Sequence, residues 1–575
     1  MFFKQFYEPR LAQYSYMIAC AASGEALIVD PLRDIEMYLA EAEAQRVRIT
    51  HVTETHIHAD FLSGARALAK AAGADLLLSD EGGEDWQYAF PHTGLKHGDS
   101  FRVGHVKVDV LHTPGHTPEH LAFLITDTLA GEDPAMILTG DFVFVGDVGR
   151  PDLLDLVAGV GGASQPMARR MFASLQMFRQ LPDHVALWPG HGAGSACGRA
   201  LGASPASTVG YEKRTNWALQ EEDEEAFVLK LLVEQPMPPA YFRNMKLWNR
   251  SGEKPGGSPS RPPRLPIQRL ETLRDQGAVL VDARDKSAFA EGHIPGSIHI
   301  PDNTLFPTWA GWLLDPDTPA ILIAPEAAVP DLVTSLYRIG LDQVAGYFTD
   351  VHYWAQMGHE LARLEQMSAT DLAEALAAKR AVAVDVREPH DLRNGFIPGA
   401  IAIPAGKLLR ASLQPDTDRT LVFYCGRGHR SAIIASHLQR QGFAQVMTLR
   451  EGVRGWEAAG LSLESPDADI DFEQVDALEA YRRQTEAGWT IIDVRDDAAF
   501  RRGHPVGARL APLDSFIDDA VIASLRALEP LLLICNTGNK SAMAAEWLLS
   551  EGLTRIANVE EGVIGWQLHH LPWEK

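Results

Sequence analysis

The sequence predicts an α/β protein of several domains: one large domain in front, then three small domains with mainly parallel sheets. Three observations carry this. Residues 1–250 hold apolar runs, ALIVD, LLLSD, MILTGD and VALWPGH, that end in Asp, Gly or His, as strands do when they deliver polar groups at a sheet edge. The remainder repeats itself at roughly hundred-residue intervals, far longer than the ~20–50 residues of a solenoid repeat. Within each copy, short β-rich runs alternate with helical patterns such as DLAEALAAK, SAIIASHLQRQG and SAMAAEWLLSEG. That alternation marks parallel α/β units.

The repeat is legible in two anchors. Asp282, Asp385 and Asp493 recur at intervals of 103 and 108 residues, and Trp354, Trp456 and Trp566 at 102 and 110. The copies open on VLVDARDKSAFAEGHIPGSIHIP, AVDVREPHDLRNGFIPGAIAIP and IIDVRDDAAFRRGHPVGARLAP. Ahead of them lies RSGEKPGGSPSRPPR, rich in Pro, Gly, Ser and charge and without apolar periodicity, which reads as a linker. The expected boundaries are a front domain over 1–250, a linker over 251–264, and repeats over 265–362, 366–465 and 473–575.

Composition narrows the function. With 46% hydrophobic and 22% charged residues, the 575-residue chain looks like an ordinary water-soluble protein. Its net charge of −24 disfavours nucleic acid, which needs a basic surface to displace counterions. No apolar run approaches the ~18–20 residues that span a bilayer. The start, MFFKQFYEPRLAQYSYMIAC, places charges where a signal peptide needs a clean apolar stretch. A cytoplasmic protein is therefore expected, with neither nucleic acid nor membrane as partner; a homo-oligomer is compatible with the sequence. The four cysteines, Cys20, Cys197, Cys425 and Cys535, are too few for a disulfide framework and suit a reducing compartment. Cys20, in the apolar run YMIACAA, reads as core.

A metal site is expected in front. ETHIHADFLSGA sets His56, His58 and Asp60 at alternate positions beyond the strand-like RITHVT. HTPGHTPEH adds His116 on a Pro-Gly turn, ILTGD adds Asp141, and LWPGH adds His191. Imidazoles and carboxylates arriving from several strand ends form metal sites. This series resembles the metallo-β-lactamase superfamily, which implies an αββα fold. Phe61 stands where the binuclear zinc hydrolases of that superfamily carry a histidine. It cannot ligate a metal, so a single-ion site is expected.

THIHADF, HTPGHT, TGD followed by VGRPDLL, and STVGYEKRTN resemble the persulfide dioxygenases within that superfamily. The resemblance implies one Fe(II) per chain, with zinc as a substitute, held by His56, His116 and Asp141. It places His58, Asp60 and His191 around those ligands. It implies a reaction in which a low-molecular-weight thiol persulfide, O2 and water give sulfite and the thiol. Arg214 matches a family arginine that grips the glutathione carboxylate. The family's glutathione-contacting tyrosine has no counterpart in GHGAGSACG. That phrase resembles the bacterial subgroup fused to rhodanese domains, so a coenzyme A persulfide stands beside glutathione persulfide as substrate. Cys197, six residues after His191, is a candidate to line the pocket or carry a persulfide.

The second and third repeats carry reactive-thiol patterns. In LVFYCGRGHRSAIIA a β-rich run ends in Cys425, a short loop follows, and a helix starts near Arg430. Inward-facing N–H groups and the positive helix N-terminus stabilise a thiolate or persulfide anion. Arg430 adds a fixed charge that grips an anionic donor. The loop resembles that of the rhodaneses, which implies sulfur transfer with thiosulfate, sulfite and persulfides. In LLLICNTGNKSAMAAEW, Cys535 takes the same place and Lys540 replaces the arginine, a point charge without the guanidinium fork. The interval from anchoring Asp to nucleophile is 40 residues in the second repeat and 42 in the third. In the first repeat 42 residues lead to Ala324, so that copy is expected to be catalytically dead, a spacer or docking surface. The sequence thus reads as a persulfide dioxygenase–sulfurtransferase fusion. A zinc thioester hydrolase fused to rhodanese, and a sulfur carrier with a structural metal, stand as alternatives.

Overall fold

Two six-stranded sheets form the front of the chain. Strands Phe2–Glu8, Gln13–Cys20, Glu25–Val29, Arg48–Thr53, Asp75–Ser79 and Thr93–Leu95 lie side by side in that order in one. The other runs Ser207–Thr208, Ala186–Pro189, Met136–Gly140, Leu121–Asp127, Val106–His112 and Ser100–Val103. The structure, a computed structural model, describes all residues except 154–162, 196–197, 199–200, 233–234, 236, 255, 257, 411–418, 444 and 465–471.

Strand Gln13–Cys20 is buried along its whole length, and its alternation explains the layering. Tyr14, Tyr16, Ile18 and Cys20 face the second sheet's Val106, Val108, Val110, Phe123 and Leu138 in one cluster. Met17 and Ala19 face the other way, onto Tyr38, Ala42, Leu68 and Ala69 of two helices. Successive side chains of a strand point to opposite faces, so a strand buried at every position is covered on both. The second sheet is covered in the same manner by Ala168, Met171, Leu175 and Phe178. The layers therefore run helix, sheet, sheet, helix, as expected, and Cys20 lies in the core.

The described residues divide into two compact units: Met1–Val279 with Asp302–Phe348, and Leu280–Pro301 with Thr349–Lys575. The division cuts through the first repeat rather than falling at the linker. In the first unit, Arg338, on helix Val329–Arg338, forks Asp34 with two bonds of 2.7 Å and also pairs with Glu8. Its carbonyl accepts the Leu62 N–H at 2.7 Å, one residue past Phe61. Arg33, 4% exposed, pairs with Asp342 at 2.5 Å. The segment read as a linker is tethered at Lys254, which donates to the Gly340 carbonyl at 2.7 Å, and at Ser258, which donates to Glu36.

In the second unit the repeat becomes geometry. Strands Gln366–Met367, Val446–Leu449, Thr420–Tyr424, Ala381–Asp385 and Ile401–Ala402 form one five-stranded parallel sheet. Glu473–Val475, Ile556–Val559, Leu531–Ile534, Thr490–Asp493 and Arg509–Leu510 form another with the same order. Each anchoring aspartate holds the arginine two residues on, which also reaches a glycine carbonyl. Arg284 bonds Gly292 at 2.8 Å, Arg387 bonds Gly395 at 2.7 Å and Arg495 bonds Gly503 at 2.8 Å. The three tryptophan indoles each donate to the carbonyl six residues ahead, at 3.1, 2.9 and 3.0 Å. Among the described residues, no helix is long and apolar enough to cross a membrane.

Asp385 is fully buried, and removing it strands a buried guanidinium. Asp385→Ala is expected to cost about 3–5 kcal/mol. Asp285→Ala, which deletes only an exposed helix cap, is expected to cost about 1 kcal/mol. Denaturant unfolding of the second unit's transition checks this; equal losses would contradict the buried-pair account.

Candidate functional site

His56 follows strand Arg48–Thr53, His116 lies in the turn between Val106–His112 and Leu121–Asp127, and Asp141 follows Met136–Gly140. One donor atom from each lies within 4.8 Å of the others. The His116 and His56 Nε2 atoms stand 3.5 and 3.9 Å from Asp141 Oδ2, and all three side chains are 1% exposed. The opposite ring nitrogens are committed. His116 Nδ1–H donates to the Arg150 carbonyl at 3.0 Å. Thr55 Oγ1 donates to Asp30 at 2.9 Å, so it accepts from His56 Nδ1 at 2.9 Å. Both imidazoles thus turn an Nε2 lone pair inward, the arrangement that outer partners impose on metal-binding histidines.

The electrostatics agree. Burial pushes His56 well below the usual imidazole range, and His58, His116 and His120 push the same way. Burial also lowers His116, against the pull of Asp141. Both are held neutral, as ligands must be. Neither Asp141 oxygen has a hydrogen-bond partner, nor do the Asp60 oxygens or the His191 nitrogens. Buried polar groups are nearly always paired, so this cluster of unpaired donors fits a cation.

The other histidine-motif residues surround it. His191 Nε2 lies 3.4 Å from Asp60 and 3.6 Å from Asp141. Burial lifts the Asp60 carboxyl above its ordinary value. His58 turns away to Asp30 at 3.0 Å; burial opposes its charge, but Asp30 outweighs that and raises it to about 9. Phe61 is fully buried with its ring 4.4 Å from that of His58. The first motif therefore offers a second ion neither Phe61 nor a free His58.

Several supporting residues were not singled out in the sequence. Asp30 takes a left-handed conformation, φ 52°, and binds Thr55 and His58 together. His120 accepts the Asp141 N–H at 3.0 Å. Both had a faint signal: Asp30 ends the run ALIVD and His120 closes HTPGHTPEH. Arg214 sits exposed in the last turn of helix Val209–Thr215, and no described hydrogen bond or ion pair joins its side chain to the cluster. Cys197 lies outside the described residues.

The cysteine loops share one construction. Cys425 follows Thr420–Tyr424, Gly428 turns left-handed at φ 82°, and helix His429–Arg440 begins. Cys535 follows Leu531–Ile534, Gly538 turns at φ 89°, and helix Asn539–Ser550 begins. Both thiols are 2% exposed, and Ser431 and Ser541 point hydroxyls at the sulfurs from 3.9 and 3.3 Å. The Val453 and Val563 N–H groups hold the cysteine carbonyls at 2.9 and 2.7 Å. The preceding glycines are required there, since a Cβ on Gly452 would lie 2.0 Å from the Cys425 oxygen. Arg430 pairs with Asp391 at 2.8 Å; burial opposes its charge, but Asp391 and Cys425 keep it above its ordinary value. Ala324 ends strand Ala320–Ile323, and its loop leads through a 3-10 turn into a helix carrying Pro330.

Comparison with known proteins assigns the two kinds of domain. The metallo-beta-lactamase superfamily model matches residues 9–191, and the rhodanese-like domain model matches 267–354, 368–459 and 476–569. A metallo-beta-lactamase structure from Staphylococcus aureus subsp. aureus COL is 42% identical, with a TM-score of 0.56, over 61% of this chain and 99% of that one. A hydroxyacylglutathione hydrolase from Polaromonas sp. (strain JS666) is 35% identical over 179 residues, 31% of this chain. The alignment spans 61% of that hydrolase's own length. The mitochondrial persulfide dioxygenase ETHE1 of Bos taurus is 26% identical over 197 residues, 33% of this chain and 67% of the relative. The chain belongs to the metallo-β-lactamase superfamily, with three tandem rhodanese-like domains behind that domain.

The cations of the two loops differ in kind, a lysine in one and an arginine in the other. Burial pushes the Lys540 ammonium below its ordinary value, and neighbouring Lys407 adds to this against Cys535 and Asp496. Lys540 therefore loses its charge as pH rises through that lowered value, whereas Arg430 keeps its own. In single-cysteine variants, sulfur transfer from thiosulfate at Cys535 is expected to fall at lower pH than at Cys425. Lys540→Arg is expected to extend the alkaline limb, and an unchanged pH profile would contradict this origin.

Proposed function

We propose that the chain is a persulfide dioxygenase–sulfurtransferase that oxidises low-molecular-weight thiol persulfides, of the glutathione or coenzyme A type, to sulfite. The observation that carries this reading is a one-ion donor set, with Phe61 buried against His58, in one chain with two cysteine loops. One iron ion held by His56, His116 and Asp141 would supply O2 activation beside the persulfide sulfur, chemistry that redox-inert zinc lacks. The chain's own part is positioning. Arg150 and Thr55 orient the two imidazoles, and His120 fixes the Asp141 backbone. Arg214 and Cys197 are proposed to serve the thiol end of the substrate.

At the rhodanese domains, Cys425 or Cys535 thiolate attacks the outer sulfur of a persulfide or thiosulfate. The donor's S–S bond breaks, and the thiolate or sulfite leaves with the electron pair. Sulfite made in front is a natural acceptor for that sulfur, giving thiosulfate. A cytoplasmic setting fits two thiols that must stay reduced.

The likeness to hydroxyacylglutathione hydrolase favours a second reading, a zinc thioester hydrolase. The oxygen electrode separates the two. With iron-loaded protein, glutathione or coenzyme A persulfide is expected to drive O2 uptake and sulfite release, and His56→Ala to lose more than about 100-fold in rate. Hydrolysis of an acylated glutathione without O2 uptake, or wild-type rates in His56→Ala, would overturn the dioxygenase reading.

A further inference from the structure

The first repeat has no nucleophile, yet one of its side chains reaches an active loop. Lys286 opens helix Lys286–Glu291, four residues past the anchoring Asp282, with Asp285 as the helix cap. Its side chain is only 12% exposed. The ammonium donates to the Arg427 carbonyl at 2.5 Å and pairs with Glu451 Oε1 at 3.2 Å. Arg427 is two residues past Cys425. Glu451 caps helix Gly452–Ala458, whose first N–H groups hold the Cys425 and Gly426 carbonyls at 2.9 and 3.1 Å. Lys286 therefore ties together the two pieces of chain that shape the Cys425 loop. It is seated firmly: the His299 N–H donates to Ser436 on the cysteine's helix at 3.0 Å, and Arg440 of that helix reaches the Gly296 carbonyl at 2.8 Å.

We infer that the cysteine-less first repeat supplies Lys286 to the second as a positioning residue, which pins the Arg427 carbonyl and so fixes the loop around the Cys425 sulfur. The physical basis is the planar trans peptide, in which C=O and N–H point in opposite directions. Holding the Arg427 oxygen outward turns the Gly428 N–H to the loop's inner side, where inward N–H groups stabilise an anion. The ammonium also adds positive potential at the loop. Its nearness is felt by His429, which burial pushes below the ordinary imidazole range and Lys286 pushes further.

The other charges facing the loop are its own Arg427, His429 and Arg430, with Asp391 and Glu388 beside Arg430. Among the described residues, Glu451 and, from the first repeat, Asp285 also face it. The third repeat offers an internal contrast. There the cation contributed by the preceding repeat, Lys407, is 3.5 Å from Asp514 and works against the charge on Lys540. Among the described contacts it pins no carbonyl of the Cys535 loop.

The inference rests on reading Cys425 as a reactive thiol, so the test uses alkylation, which needs neither metal nor sulfur donor. In the full chain, iodoacetamide labelling of Cys425 and Cys535 is followed separately by peptide mass spectrometry across pH. Lys286→Met is expected to slow Cys425 alkylation roughly tenfold at neutral pH and move its profile upward, with Cys535 unchanged. Lys286→Arg, which keeps a charged donor, is expected to stay within about twofold of wild type. Glu451→Gln removes the competing carboxylate and keeps the bond to Arg427, so Cys425 must react no more slowly than in wild type. A Lys286→Met profile matching wild type at Cys425, or equal slowing at both cysteines, would overturn the inference. Should Lys286→Met lose its circular dichroism spectrum, the other two variants decide: slowing in Glu451→Gln or a tenfold loss in Lys286→Arg overturns it. A Cys425 that alkylates as expected yet accepts no sulfur would instead refute the sulfurtransferase reading alone.

Discussion

A carboxylate with no hydrogen-bond partner, Asp141, lies buried beside two neutral imidazoles, and the front domain is organised around that arrangement. Burying an unpaired charge costs several kcal/mol, so the group suits a cation. The sandwich makes the site affordable by delivering each donor from just beyond a strand end or from a turn between strands. The outer contacts then remove freedom. Arg150, Thr55 and Asp30 fix ring orientation, and His120 holds the Asp141 peptide.

The rhodanese-like domains show one skeleton adapted three ways. The Asp–Arg fork and the indole-to-carbonyl bond recur in every copy, because they close the same turns. The loop after the central strand varies freely. With Cys and Arg it presents a thiol beside a permanent charge; with Cys and Lys the neighbouring charge is one that burial weakens. With Ala it presents no thiol, and that copy's surfaces meet the rest of each unit. In the first unit its Arg338 grips Asp34 and Glu8, and in the second its Lys286 meets the Cys425 loop.

Local chemistry was legible in the sequence and distant contacts were not. His56, His58, Asp60, His116, Asp141 and His191 could be named because each follows a strand-like run or sits in a Pro-Gly turn, while the choice of His56, His116 and Asp141 among them rests on the family resemblance; the cysteine loops could be named because strand, Gly-rich turn and helix follow within fifteen residues. Asp30 escaped notice because its partners, Thr55 and His58, lie more than twenty residues away and meet it only once the sheet forms. Nothing in the sequence marks Lys286, because its partner is 141 residues ahead. The Pro- and Gly-rich segment read as a linker was identified by composition, but its tethers through Lys254 and Ser258 depend on distant partners. For the same reason the division into compact units follows contacts rather than composition, and cuts the first repeat.

The central claim is that this superfamily site holds one redox-active ion. Elemental analysis of protein purified without oxygen tests it most directly, with Asp141→Ala as the comparison. The account predicts close to one iron per chain, lost in the variant. Two zinc ions per chain in the wild type would contradict it.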